Sequence, residues 1–203
     1  MLAVEKIEVL NARAQSTEPK EILAEVLELV PNIAISFSGA EDIALVAMAV
    51  RIRKDIPVFT LDTGRLHPQT YRYIDKVRKR YALNLEILQP DASALEALVK
   101  KKGLFSFYDD GHEECCGIRK IEPLRRKLAT LDGWITGQRR DQSPSRTALP
   151  TYERDGTFSS EGKSLLKVNP LANWSLQQVW DYIRMFDVPY NELHDQGYIS
   201  IGC

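Results

Sequence analysis

The chain is short of everything that would tie it to a membrane, an oxidising compartment or a nucleic-acid backbone. No apolar run approaches the roughly 20 residues that a bilayer-spanning helix requires. Cysteine occurs three times in 203 residues, at 115, 116 and 203. An odd number gives no closed disulfide framework and points to a reducing compartment. Net charge is −1, so no overall basic field recruits nucleic acid and any anion site must be local. There is no internal repeat and no low-complexity tract. The N-terminus carries acids early, at Glu5 and Glu8, unlike a signal peptide. A cytoplasmic protein is expected.

What is present suits an ordinary globular domain. Apolar residues make up 44% and charged residues 27%, enough to bury a core without staples. No linker divides the chain, so residues 1–203 are expected to form one domain. Residues 5–14 and 19–30 read as helices, the second with Ile22, Leu23, Val26, Leu27 and Val30 on one stripe. A short buried strand over 32–36 then precedes an apolar helix over about 41–53. Strand 57–61 leads to helix 68–81, and strand 85–88 to helix 92–102. Residues 121–131 read as helical and 133–136 as a fourth strand. This alternation predicts an α/β fold, a parallel twisted sheet with helices on both faces. Residues 138–150 form a polar loop, Asp155-Gly156 gives a hairpin signal, and Ser175 caps a helix through about Phe186.

Cys115 and Cys116 sit in Glu-Glu-Cys-Cys-Gly-Ile-Arg-Lys. Neighbouring cysteines make a poor disulfide, because their Cα atoms lie about 3.8 Å apart against a usual span of roughly 4.4–6.8 Å. Soft-metal ligation, redox chemistry or unremarkable intracellular thiols remain open. The basic pair Arg119–Lys120 would stabilise thiolates.

In an open parallel sheet, ligands bind beyond the carboxyl ends of the strands. Three strands end in suggestive turns: Ser36-Phe-Ser-Gly-Ala-Glu-Asp42, Leu61-Asp-Thr-Gly-Arg65 and Thr136-Gly-Gln-Arg-Arg-Asp141. Parallel strands would bring them to one edge. Ser36, Ser38 and Gly39 offer hydroxyls, backbone N–H groups and a helix N-terminus to a phosphate or sulfate. Gly64 and Gly137 permit close approach by a planar ligand such as a purine. Asp62 suits either ribose orientation or an Asx turn. Walker A is excluded because its Lys-Ser/Thr ending is absent, and the dinucleotide fingerprint because it needs three spaced glycines. Arg125, Arg126 and Lys127 read as a solvated helix face. His67, His112 and His194 read as local hydrogen-bonding residues, and Trp134, Trp174 and Trp180 as core.

Taken together, these segments resemble a known family. Ser36 to Asp42 is similar to the modified pyrophosphate loop of the adenine-nucleotide alpha-hydrolase-like superfamily. Leu61 to Pro68, Glu114 to Lys120, Gly137 to Ser143 and Tyr190 to Cys203 resemble signatures of assimilatory adenylyl-sulfate reductases, of the PAPS/APS reductase family. The resemblance implies reduction of adenylyl sulfate to sulfite and AMP through an enzyme S-sulfocysteine, with thioredoxin or glutaredoxin as reductant. It implies substrate contacts from Ser36, Phe37, Ser38, Gly39, Leu61, Asp62, Thr63, Gly64, Arg119, Gly137, Arg139 and Arg140. Lys120 would stabilise charge at the sulfate.

It further implies a [4Fe–4S] cluster on Cys115, Cys116 and Cys203. The fourth ligand and the nucleophilic cysteine are expected beyond residue 203, in a C-terminal tail. The cluster is expected to tune charge and position groups. No membrane or nucleic-acid partner is expected, and a homo-oligomer is left open. Two alternatives differ in substrate or in competence: a 3′-phosphoadenylyl sulfate reductase, and a catalytically incomplete nucleotide-binding Fe–S module. An ATP pyrophosphatase of the superfamily fits less well, since Ala40-Glu41 departs from its Ser-Gly-Gly-x-Asp-Ser loop.

Overall fold

A computed structural model describes residues 3–109, 111–159 and 162–202. Cys203 therefore lies outside the described residues.

Two helices open the chain, α1 (Val4–Ala14) and α2 (Pro19–Leu29). In α2 the predicted stripe Ile22, Leu23, Val26 and Leu27 is buried, with Pro19 in the first turn, where its missing N–H costs nothing. Next come β1 (Ile33–Ser36), α3 (Ala40–Ala49), β2 (Val58–Leu61), α4 (Pro68–Tyr81), β3 (Leu85–Leu88) and α5 (Ala92–Lys102). Helix α3 is buried on nearly every side, from Ala40 to Ala49, because it is apolar all round and packs centrally. It stops at Ala49, short of the expected 53, where exposed Arg51 and Lys54 replace the buried run.

The cysteine region is more helical than its sequence suggests. Helix α6 (Ser106–Asp109) precedes α7 (Glu113–Cys116), a π-type turn over Gly117–Ile121 and α8 (Glu122–Leu128). Cys115 and Cys116 thus lie inside one helical run, not in a loop ahead of a helix. The chain closes with β4 (Gly133–Ile135), β5 (Tyr152–Arg154), β6 (Leu166–Val168) and α9 (Leu176–Met185).

The strands form one six-stranded sheet in the order β3-β2-β1-β4-β6-β5. Every pairing is parallel except β5 with β6, where Tyr152 stands opposite Val168. This antiparallel edge is the hairpin signalled by Asp155-Gly156, where Asp155 folds the chain back. Its carboxylate accepts the N–H groups of Thr157 and Phe158, at 3.0 Å each, and Nε1–H of Trp134 at 3.0 Å. Asn11 of α1 then brackets Tyr152, donating to its carbonyl at 2.7 Å and accepting its N–H at 2.9 Å. That bond pair covers a backbone edge which would otherwise be open to strand addition.

Alternation along β1 explains the two-faced core. Ile33 and Ile35 enter the larger cluster with α1, α2, α3, α4 and α9. Ala34 enters the smaller one with Phe59, Leu88, Leu128, Leu131 and Trp134. Among the described residues no helix is long and apolar enough to cross a membrane.

Helix α9 begins as its sequence dictates. Ser175 Oγ accepts Gln178 N–H at 3.2 Å while Gln178 Oε1 accepts Ser175 N–H at 2.8 Å, a reciprocal cap. Ser175→Ala should cost about 0.5–2 kcal/mol of stability, read as a lower urea midpoint at unchanged slope. An unchanged midpoint would mean that this cap carries no stability.

Candidate functional site

A cavity of about 670 Å³ opens beyond the carboxyl ends of β1 and β4. The β1–α3 turn contributes Ser36, Ser38 and Gly39, and the loop after β4 contributes Gly137, Arg139 and Arg146. The segment after α9 closes a third side with Asn191, His194 and Ser200. The convergence expected of parallel strands is therefore present for the β1 and β4 turns. The β2 turn does not border this cavity.

Asp42 organises the β1–α3 turn. Its Oδ2 accepts Ser38 N–H at 2.8 Å, Ser38 Oγ–H at 2.8 Å and Gly39 N–H at 3.0 Å. Its Oδ1 reaches across to Gly137 N–H at 2.8 Å. Burial pushes this carboxyl above its ordinary range, opposed by the Ser38 and Gly39 donors. The N–H groups of Ser38 and Gly39, expected to face an anion, are thus turned onto the chain's own carboxylate. Those of Ala40 and Glu41, in the first turn of α3, have no intrahelical acceptor and sit at the positive end of the helix dipole. The Phe37 ring does not face the cavity. It is 1% exposed and packs on Tyr73 at 5.5 Å between centroids.

Gly137 has a structural reason of its own. A Cβ there would stand 2.6 Å from Asp42 Oδ1 and 2.6 Å from Glu41 Cβ. The close approach seen here is to α3. The two arginines that follow part company. Arg139 is 3% exposed and lines the cavity, donating to Glu41 at 3.0 Å and pairing with Asp141. Arg140 points away, donating to the Leu149 carbonyl at 2.8 Å and to Asn173. It pins the loop to the body of the protein and does not line the cavity.

Two buried polar atoms on the cavity wall, Tyr73 Oη and Arg139 Nε, have no partner among the described residues. Burial, then the charges of Asp42, Tyr81 and Glu41, hold the Tyr73 phenol well above its usual pKa, so it stays a neutral donor. Sequence reasoning missed Glu41, Asp42, Tyr73 and Arg146. Asp42 had a legible signal, an acid three residues after Gly39 at a helix start. Tyr73 and Arg146 had none.

The β2 turn joins the cysteine helix instead. Asp62 forms the Asx turn, with Oδ1 accepting Gly64 N–H at 2.8 Å and the Tyr71 hydroxyl at 2.7 Å. Leu61 packs against the smaller core cluster. Arg119, 6% exposed, donates from Nη1 to the carbonyl of Thr63 at 2.6 Å. Lys120 is half-buried beside it. His194 fulfils its local role by bonding the Tyr198 carbonyl at 2.8 Å, and also borders the cavity.

Cys115 and Cys116 are free, half-buried thiols. Two adjacent soft donors on one helical run suit thiolate ligation of iron. No group of three His, Cys, Asp or Glu close enough to hold a metal occurs among the described residues. The described residues therefore offer two candidate thiol donors, and Cys203 lies outside them.

Five parallel strands, a helix N-terminus beyond the central one and a polar crevice at the switch between β1 and β4 define an adenine-nucleotide alpha-hydrolase-like α/β fold. Residues 32–203 match the family described as phosphoadenosine phosphosulfate reductase domain, and the chain belongs to that family. It is 57% identical over 187 residues to an adenosine 5′-phosphosulfate reductase of Pseudomonas aeruginosa (strain LESB58), covering 91% of this chain and 70% of that protein. A chloroplastic 5′-adenylylsulfate reductase 3 of Arabidopsis thaliana is 50% identical over 208 residues, covering 100% of this chain and 45% of that one. The crystal structure of a phosphoadenylyl-sulfate reductase from Candida auris, in a phosphate complex, superposes with a TM-score of 0.83 at 32% identity. The match spans 100% of this chain and 96% of that one.

Proposed function

We propose that this chain is the reductase domain of an enzyme that reduces adenylyl sulfate to sulfite and AMP in assimilatory sulfate reduction. One observation carries the assignment. The helical run that carries the free thiol pair is hydrogen-bonded through Arg119 to the turn after β2, which shares a sheet edge with the crevice beyond β1 and β4. Thiol chemistry and a nucleotide crevice occupy one side of the molecule. The higher identity to relatives named for adenylyl sulfate favours that substrate over its 3′-phosphorylated form.

A thiolate of the C-terminal tail, expected beyond residue 203, attacks the substrate sulfur. An S–S bond forms, the S–O bond to phosphate breaks, and AMP leaves. A second thiol, from thioredoxin or glutaredoxin, attacks the resulting S-sulfocysteine. Sulfite departs and a disulfide remains.

The chain's own residues bind and orient. Ser36 and the Ala40 and Glu41 N–H groups at the N-terminus of α3 receive the phosphate, beside Ser38, whose hydroxyl is held by Asp42, and Arg139 lines the approach. Thr63 and Gly64 hold the neighbouring turn. Lys120 balances the charge that accumulates on the departing phosphate. Cys115, Cys116 and Cys203 would hold a [4Fe–4S] cluster, which when bound supplies local charge and holds its ligands in fixed relation. The odd, low cysteine count favours a cytoplasmic enzyme.

The test uses the full-length gene product with thioredoxin or glutaredoxin. Sulfite and AMP should form in equal amounts from adenylyl sulfate, and faster than from 3′-phosphoadenylyl sulfate. AMP binding without sulfite from either nucleotide would instead identify a nucleotide-binding Fe–S module without turnover.

A further inference from the structure

A closed ring of five polar side chains lies behind the cavity wall, where β4 and β6 end and β5 begins. Gln138 N–H donates to Thr136 Oγ at 3.3 Å, and the Thr136 hydroxyl donates to Asn169 Oδ1 at 2.5 Å. Asn169 Nδ2–H reaches Glu153 Oε1 at 3.1 Å, and Lys167 Nζ reaches the same oxygen at 2.9 Å. Lys167 then donates to Gln138 Oε1 at 2.9 Å, which closes the circuit. Of the five, Thr136 and Gln138 line the cavity, whereas Asn169, Glu153 and Lys167 stand behind it.

The ring settles which end of the Gln138 amide meets a ligand. A side-chain amide can turn either its oxygen or its nitrogen toward a neighbour. A lysine ammonium has donors only, so the oxygen must face Lys167, and the NH2 is the end left for the cavity. That NH2 has no acceptor among the described residues. Hairpin stability does not account for the arrangement. Glu153 and Lys167 stand directly opposite each other in the antiparallel pair, and that ion pair joins β5 to β6 without Gln138. What the further bond from Lys167 adds is an amide of fixed orientation at the crevice.

Gln138 also lies on the far side of the crevice from α3. Its partner Lys167 is on β6, two strand spacings or about 10 Å from β1. The phosphate is assigned to the start of α3, so the nucleoside half of the ligand is what extends toward Gln138.

We propose that Gln138 is a specificity-determining residue for the nucleoside. Its amide N–H, oriented by Lys167, donates to one neutral acceptor, a ribose hydroxyl oxygen or a ring nitrogen of the base. Lys167 acts through Gln138 and is a positioning residue. The inference rests on the reading of the crevice as an AMP site. A locked amide that donates and cannot accept discriminates against a ligand lacking the acceptor at that point.

The experiment is calorimetry on the full-length protein with AMP and with analogues that each lack a single acceptor. 2′-Deoxy-AMP and 3′-deoxy-AMP each lack one ribose hydroxyl, and 1-deaza-, 3-deaza- and 7-deaza-AMP each lack one ring nitrogen. Gln138→Met keeps the side-chain length and removes the donor, and it should bind AMP about five- to tenfold more weakly than the parent. One analogue should bind the parent and Gln138→Met within about twofold of each other, and that analogue identifies the acceptor. Lys167→Met should weaken AMP binding about two- to threefold in the parent and no further in Gln138→Met, the non-additivity of two residues acting on one contact. A merely structural Lys167 would weaken binding in both backgrounds. Urea unfolding of the same variants reads the stability of the fold separately.

Unchanged AMP affinity in a folded Gln138→Met protein would overturn the contact. So would a loss of equal size for AMP and for every analogue, because Gln138 would then act only through the fold. Additive losses from Lys167→Met and Gln138→Met would remove the positioning role of Lys167. If the parent itself binds no AMP, the nucleotide reading fails, an outcome distinct from AMP that binds without regard to Gln138.

Discussion

Cys115→Ser and Cys116→Ser should each yield a colourless protein that has lost its iron and makes no sulfite, whereas the full-length parent should be brown. Thiolates supply the bonds to iron in an Fe–S centre, and a serine hydroxyl is a harder and far less acidic donor. Both thiols are free and half-buried on one helical run, and neither is tied up in a disulfide. Folding should survive, because neither side chain belongs to the two core clusters. Iron determination and far-ultraviolet circular dichroism on the same sample separate loss of ligand from loss of fold. Full iron content and full rate in Cys115→Ser would remove that residue from the ligand set.

Gly137→Ala is the other change of large expected effect. A Cβ at 137 must enter space already held by Asp42 Oδ1 and Glu41 Cβ, both at 2.6 Å, and by the Asp42 backbone nitrogen at 3.0 Å. Glu41 Cβ and the Asp42 nitrogen are anchored in α3, and Asp42 Oδ1, though the end of a side chain, belongs to a carboxylate held by Ser38, Gly39 and Gly137. The loop after β4 must therefore move away from α3, breaking the Gly137–Asp42 hydrogen bond and opening the crevice between two of its walls. Overpacking of this kind costs about 1–3 kcal/mol in stability. AMP affinity should fall tenfold or more, since about 1.4 kcal/mol is a factor of ten. Urea unfolding and calorimetry with AMP check the two effects separately. Unaltered AMP affinity in a folded Gly137→Ala protein would mean that nucleotide does not bind between these walls.

Much of the fold was legible because it is written in local pattern. Helix α4 and strand β3 fall where their apolar periodicity and flanking prolines and turns put them, and the Ser175 cap follows from residue chemistry alone. The antiparallel edge was less legible. Asp155-Gly156 announced a reversal, but pairing of β5 with β6 depends on Trp134 reaching Asp155 and on α1 covering Tyr152. Both contacts join residues far apart in the chain.

The site divides in the same way. The Ser-Gly turn, the paired cysteines and the loop after β4 could be recognised as chemistry-bearing from their composition and their places after strands. Which way each side chain points could not. Arg139 and Arg140 are identical neighbours, yet one lines the cavity and the other secures a loop, a choice set by Glu41 on one side and Leu149 on the other.

The order of residues alone determined a doubly wound sheet, a Ser-Gly turn at a helix start after the first strand and a pair of thiols too close together to bond each other. Tertiary structure alone decided that Asp42 occupies the loop's own donors, that Gly137 exists to let α3 approach, and that Arg119 joins turn to helix. The physical reason is range. Periodicity, caps and turns act within a few residues, whereas a buried charge takes its direction from whichever distant polar group the packed sheet brings within hydrogen-bonding reach.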